Sequence, residues 1–267
     1  MHMGSVSDLA SHFLEAVDQA AIASAAWRGK GEKDAADDAA VEAMRRTFDN
    51  VPFDGRVAIG EGERDEAPML FIGEQLGCEI GNPNVPKIDI AVDPLECTNN
   101  CASNSPNSIA VLAAAPRGTL LHAPDCYMDK IAAGPELSGH ISLEADVAYN
   151  LEQAASVLDK PISDVKVIAL DRERHSQLFK EIKMAGADLH LIGDGDVSGA
   201  LLVTDEKYGV DLFLGEGGGP EGVLAASALD AFNCFFQGKF LFKTDQDKTR
   251  AKNMGIKDLN KKYQLNE

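Results

Sequence analysis

Positive charge is scarce in this chain. Its 25 lysines and arginines face 43 aspartates and glutamates, a net charge of −18, which argues against a nucleic-acid groove or an anionic membrane surface as partner. No apolar run approaches the ~20 residues of a bilayer-spanning helix and no secretory signal opens the sequence, so a cytoplasmic location is expected. Cysteine is sparse: Cys78, Cys97, Cys101, Cys126 and Cys234 make an odd count without zinc-type spacing, which favours reduced thiols. The six histidines hold no HExxH pair, and a zinc enzyme is disfavoured. There is no internal repeat and no low-complexity tract. What remains is an ordinary globular balance, 45% apolar and 25% charged over 267 residues, enough for one large or two ordinary domains.

The rest of the chain is organised around residues 88–98, IDIAVDPLECT. Ile88, Ile90 and Val92 alternate with Asp89 and Ala91, the pattern of a buried strand. Pro94 has no N–H for a ladder and disfavours helix at Asp93, so the strand is expected to end there. Glu96 and Thr98 follow from the same sharp turn. Carboxylate oxygens at a rigid strand end suit a hard divalent cation such as magnesium or manganese; an acidic, solvated turn is the alternative.

Before this strand, Leu9, Phe13, Val17 and Ala20 predict a helix to about residue 27, and RGKGEKD at 28–34 a glycine-broken loop carrying Lys33. Val41, Met44 and Phe48 predict a second helix with Asp37 and Asp38 in its first turn. Residues 56–59 read as a strand running into Gly60-Glu61-Gly62-Glu63, and 69–73 as helical. Residues 108–115 read as a strand pairing with 119–122 across Pro116-Arg117-Gly118, and 123–135 as a turn and then a strand. An alanine-rich helix around 142–157 is expected to link two domains, 6–145 and 146–267. Beyond it, strands at 165–170, 189–192 and 210–214 alternate with helices at 175–185, 197–202 and 221–232, the rhythm of a parallel α/β unit. A charged tail with a helix at 246–254 closes the chain.

Asp37, Glu61, Asp93 with Glu96, and Glu221 sit where elements begin or end. Each alone reads as a cap or a solvated charge; together they suggest a multinuclear oxygen-ligand cluster that polarises a phosphoryl group. Before Glu221, Gly215, Gly217, Gly218 and Gly219 lead into Pro220, and a glycine loop feeding a helix N-terminus offers free N–H groups to an anion. It is not a P-loop, since the lysine is missing. Asp194-Gly195-Asp196 makes a similar junction, with a helix cap as the alternative. Arg172 and Arg174 suit bidentate phosphate binding, Tyr127 suits stacking on a sugar phosphate, and Lys33 suits a phosphate oxygen. Ordinary surface or core roles are the alternative for each.

Seven segments, GEKDAADDAAVEAMR (31–45), IGEGERDEAPMLFIGE (59–74), IDIAVDPLECTN (88–99), APDCYMDKIAAGP (123–135), LDRERH (170–175), GDGDVSGA (193–200) and GGGPEGVLAA (217–226), resemble the class II fructose-1,6-bisphosphatases, in particular the cyanobacterial enzymes that also hydrolyse sedoheptulose-1,7-bisphosphate. The resemblance implies an α/β, layered α-β-α-β-α sugar-phosphatase fold of the inositol-monophosphatase-like superfamily, C-terminally shortened relative to the family. It implies that Asp37 and Glu61 hold one magnesium or manganese ion, and Asp93, Glu96 and Glu221 another. Glu96, Cys97 and Thr98 match a substrate-contacting triplet in which Thr98 orients the attacking water, with Glu96 and Asp93 beside it as catalytic acids. Tyr127, Arg172, Glu173, Arg174, Asp194, Gly195, Asp196 and Gly218 match the remaining sugar-phosphate contacts. The implied reaction is in-line attack of water on the 1-phosphate, giving fructose 6-phosphate and phosphate, in gluconeogenesis or the Calvin cycle, by a homo-oligomer that is commonly a tetramer. Three departures stand out. The family has glycine where Cys97 stands; should that turn need a positive φ, a side chain there costs about 1 kcal/mol and displaces Thr98. NNCASNSPNS (99–108) replaces a glycine-containing loop, and the chain stops short of the family's last strand-and-helix portion. Two further readings stay open: a non-catalytic relative that binds metal and sugar phosphate, and an inositol-phosphate-type phosphomonoesterase, against which Tyr127, Arg172 and Arg174 speak.

Overall fold

A computed structural model describes residues 5–60 and 70–266. The chain divides into two compact units, 1–122 and 123–267. In the first, helices α1 (Ala10–Ala25) and α2 (Lys33–Phe48) precede strands β1 (Asp54–Ile59), β2 (Gln75–Leu76) and β3 (Lys87–Glu96), the short helix α3 (Thr98–Ser103) and strand β4 (Ile109–Pro116). The sheet order is β2-β1-β3-β4, with β1 and β3 parallel and the other pairs antiparallel. Ile88, Ile90 and Val92 face one way along β3 and join Phe13, Met44 and Phe48 of the helices in one core. Phe13 meets Phe53 edge-on with centroids 5.6 Å apart. Each such fully buried side chain contributes about 2 kcal/mol.

Three expectations change here. β3 does not stop at Asp93 but runs through Pro94 to Glu96. A register shift against β4 between Asp93 and Glu96 absorbs the proline, whose missing N–H then breaks no ladder bond. Residues 119–122 form no strand, because β4 folds back on β3 and the turn between is committed elsewhere: Arg117 N–H donates to the Lys87 carbonyl (2.9 Å) and Gly118 N–H to the Asp89 carboxylate (2.7 Å). Residues 70–73 are a turn rather than a helix, while Met69 and Glu61 lie outside the described residues.

The second unit contains strand β5 (Tyr127–Ala133), helix α4 (Val147–Val157), strand β6 (Lys166–Leu170), helix α5 (Ser176–Ala185), strand β7 (Asp188–Ile192), helix α6 (Asp196–Leu201), strand β8 (Leu212–Gly218), helix α7 (Gly219–Ala231), strand β9 (Phe235–Leu241), helix α8 (Asp245–Asn253) and strand β10 (Lys262–Gln264). Its six strands run β10-β9-β5-β8-β6-β7. The parallel rhythm is only partly realised. β6 is parallel to β7 and β8, but β5 enters between β8 and β9 antiparallel to both. The unit therefore begins at Ala123, with β5 near the centre of its sheet, and not at the expected residue 146. β9, FFQGKFL, lies in a stretch that the sequence pattern left between helix and tail. Ile131, Leu151, Val167, Ile182, Leu212 and Leu214 form the core beneath α4 and α5.

No helix among the described residues is long and apolar enough to cross a membrane. Among the described residues the cysteines form no disulfide.

Candidate active site

In the first unit, α2 begins at Lys33, which is therefore a helix-start residue and not part of the preceding loop. Asp37 consequently sits a turn inside the helix. Burial raises its carboxyl to about 6, and the charges of Asp38 and Asp34 add to the effect. A carboxylate serving as a cap would be pulled the other way. Like charges gathered at a half-buried position are relieved by a cation.

β3 delivers Asp93, half-buried, and Glu96, buried. Asp93 Oδ1 accepts the Leu95 N–H (3.1 Å), and Ser108 Oγ donates to the Glu96 carbonyl (3.0 Å). Cys97 then turns the chain at φ 67°, ψ 56°, in the left-handed region, and Thr98 opens α3 behind it. The positive φ expected of a glycine position is present, with a side chain on it. The Cys97 carbonyl accepts N–H from Asn100 (2.9 Å) and Cys101 (3.3 Å), so the turn is held from inside the helix it starts.

In the second unit, Glu221 lies in the first turn of α7. Burial raises its carboxyl, Asp196 and Asp125 add to the shift, and Lys130 opposes it. Its Oε2 is buried and has no hydrogen-bond partner among the described residues. Gly218 makes this possible, since a Cβ there would stand 1.7 Å from that oxygen. Leaving a buried acceptor unmade costs on the order of 1–3 kcal/mol, more for a charged group. An oxygen donor of this kind fits magnesium or manganese. Among the described residues no three carboxylate, imidazole or thiol groups gather as a metal site; Glu61 falls outside them.

Lys130, in β5, is a residue that sequence reasoning missed. It is almost fully buried and donates to the Asp196 carboxylate and to the Gly218 carbonyl (2.9 Å). The available signal is a lysine inside the strand YMDKIAA, where a lysine is buried only if paired. Asp196 is thus half of an internal ion pair at the start of α6, with Gly195 (φ 104°) before it.

The Tyr127 ring carries two cations. The Arg174 guanidinium carbon lies 4.7 Å from its centroid and Lys243 Nζ 4.0 Å. Lys243 also escaped notice, read as the start of a charged tail. Arg174 Nη2 donates to the Glu216 carbonyl (2.7 Å), while its buried Nε has no partner among the described residues. Arg172 differs: it donates to the Gly193 carbonyl and pairs with Asp194 (3.2 Å), so it staples its own loop to the next. Glu173 between them is exposed.

A buried carboxylate oxygen without a partner among the described residues is suited to a cation, and a tyrosine flanked by two basic groups is suited to an anion. Two mixed α/β units bearing these features fit an α/β phosphoric monoester hydrolase. Comparison with known proteins agrees. The family model described as "Bacterial fructose-1,6-bisphosphatase, glpX-encoded" matches residues 7–267. A relative from Acaryochloris marina (strain MBIC 11017), named D-fructose 1,6-bisphosphatase class 2/sedoheptulose 1,7-bisphosphatase 2, is 45% identical over 95% of this chain and 79% of its own length. Relatives from Synechococcus sp. (strain JA-3-3Ab) and Prochlorococcus marinus (strain MIT 9515), both named D-fructose 1,6-bisphosphatase class 2/sedoheptulose 1,7-bisphosphatase, are 41% and 43% identical over 97% of this chain and 80% of theirs. The chain belongs to the class II fructose-1,6-bisphosphatase family.

Proposed function

We propose that this chain hydrolyses the 1-phosphate of fructose 1,6-bisphosphate, and alongside it sedoheptulose 1,7-bisphosphate, releasing phosphate. The observation that carries the reading is the buried Glu221 Oε2, without a partner among the described residues, in a chain whose relatives are named for these reactions. Asp37 and Glu61 would hold one divalent cation, and Asp93, Glu96 and Glu221 another. Magnesium or manganese bound there supplies Lewis-acid stabilisation of phosphoryl charge.

The chain's own groups do the rest. Thr98, set by the turn at Cys97, orients the attacking water between the acids Asp93 and Glu96. Tyr127, Arg174 and Lys243 receive a phosphate; Lys33, in the first unit, is by itself a cation suited to a phosphate oxygen. The start of α7 does not offer the first amides after Gly218 to an anion, because the Gly219 N–H donates to the Cys126 carbonyl (2.8 Å) and Pro220 has none. Lys130 fixes Asp196, and Arg172 fixes Asp194 and the Gly193-Gly195 turn, so that this loop frames the sugar beside Glu173. The reading includes the layered sugar-phosphatase arrangement of the inositol-monophosphatase-like superfamily, a homotetramer, and a cytoplasmic enzyme of gluconeogenesis or the Calvin cycle.

The test is phosphate release from both bisphosphates with manganese, magnesium or EDTA, and from an inositol monophosphate as control. Release that needs the metal and favours the bisphosphates is expected. No release with either metal overturns the proposal. One observation favours a second reading, a non-catalytic relative: the side chain on the left-handed turn immediately before Thr98. Metal-dependent thermal stabilisation by a bisphosphate without turnover would support it.

A further inference from the structure

β6 and β8 pair in parallel only at Val167–Leu212 and Ile168–Phe213. Past that point a side chain takes the place of the ladder. The buried imidazole of His175 spans from Leu170 to Glu216: Nδ1 lies 2.8 Å from the Leu170 carbonyl, and the Glu216 N–H donates to Nε2 at 2.9 Å. Because Nε2 accepts the Glu216 N–H, Nδ1 is the nitrogen that donates to the Leu170 carbonyl. Its seat is reserved by Gly215, which has φ +135° and whose absent Cβ would stand 3.0 Å from the ring.

The clip lies directly beneath Arg174. The Glu216 residue is gripped twice, its N–H by His175 and its carbonyl by Arg174 Nη2 at 2.7 Å. The turn carrying both side chains is closed by the His175 N–H donating to the Arg172 carbonyl (2.9 Å). Phe179 of α5 packs edge-on against the imidazole, centroids 6.0 Å apart, and limits its rotation. Arg174 thus reaches Tyr127 from a point fixed by the ring next to it in sequence.

We propose that His175 is a positioning residue: by replacing the backbone ladder between β6 and β8 it holds the Glu216 peptide, and through it the Arg174 guanidinium, in place to bind a substrate phosphate. The inference rests on the sugar-bisphosphatase reading above. It goes beyond that reading in assigning the phosphate grip of Arg174 to a residue that touches neither substrate nor metal.

The experiment measures the affinity for fructose 1,6-bisphosphate by calorimetry, and KM and kcat by phosphate release, in the full chain and in His175→Phe, His175→Gln, Arg174→Ala and His175→Phe/Arg174→Ala. His175→Phe keeps a planar ring, somewhat larger than the imidazole, and loses both hydrogen bonds. It should weaken Kd and raise KM about tenfold, the equivalent of one charge-assisted hydrogen bond, with kcat within about threefold. His175→Gln, whose amide donates and accepts, should recover most of the loss. The double variant should bind no worse than Arg174→Ala, because the two act as one. A folded His175→Phe with parental Kd overturns the inference, as does a double variant in which the two losses multiply. Should His175→Phe unfold, Gly215→Ala, whose added Cβ would stand 3.0 Å from the ring, takes its place, and a parental Kd in that variant overturns the inference. A parent that binds the bisphosphate without turnover defeats the functional reading alone; one that binds none defeats both.

Discussion

Cys97→Gly isolates the strain at the turn before Thr98. A β-carbon at φ 67°, ψ 56° crowds the backbone by about 1–2 kcal/mol. Glycine removes that crowding but widens the unfolded ensemble, which costs about 0.5–1 kcal/mol. The difference leaves the variant more stable by roughly 0.5–1 kcal/mol, a rise in Tm of about 1–4 °C for a chain of this size. Cys97→Ala keeps the β-carbon and is the control for the thiol. The assay is thermal unfolding of all three chains, with phosphate release measured alongside. Glycine should exceed both cysteine and alanine in Tm, and kcat should hold or increase, since relaxing the turn acts on Thr98, the next residue. A glycine variant no more stable than the alanine variant would refute the argument, because it would mean the left-handed turn carries no strain.

Asp89→Asn should lower stability by about 3 kcal/mol in denaturant titration, since the fully buried carboxylate takes both Arg56 Nε and Nη2 (3.0 and 2.9 Å) and its loss leaves the arginine charge uncompensated. Burial alone would raise this carboxyl, but hydrogen bonds from Arg56 and Gly118 and the charges of Arg56 and His122 outweigh it and hold the group below its ordinary value. Its stabilising share is therefore complete above the unfolded value of about 3.9 and is lost as pH falls through the depressed folded value; the variant should show a shallower acid limb. Lys130→Met should cost about 3–5 kcal/mol by stranding the Asp196 carboxylate, and adding Asp196→Asn should recover part of it, read by the same titration. Glu221→Gln should abolish most turnover and blunt the rise in Tm on adding manganese, while the metal-free variant is as stable as the parent or more so, because the orphaned charge is gone.

Much of the architecture was legible in side-chain spacing. The alternation of Ile88, Ile90 and Val92, the helical repeats in α1 and α2, and the β6–α7 succession all appear where the patterns placed them. Pairing was less legible. β5 and β9 mix apolar residues with a lysine each, and nothing in either says that it will lie antiparallel inside an otherwise parallel succession. The strand expected at 119–122 failed because its turn residues answer to Asp89, 29 positions upstream of Gly118. In the candidate site, the acids and glycines could be picked out because their types are unusual at element junctions. Lys130 had one faint signal, its place inside a strand, and His175 and Lys243 had none. A lysine, a histidine and a tail residue acquire meaning only from what folds against them: the Asp196 carboxylate, the Glu216 amide and the Tyr127 ring.

Alternation along a strand obeys parity: residues an even number apart share a face, and residues an odd number apart do not. Asp93 and Glu96 are an odd number apart, yet their partners on β4, Val111 and Ile109, are an even number apart. The additional residue at the bulge resets the phase, which is why Val92 and Leu95 both belong to the helix-facing core while the two acids share the opposite side. A chain without that residue would keep the rest of its ladder and send Glu96 into the core. Whether those acids can act together depends on a count of residues between them as much as on their chemistry.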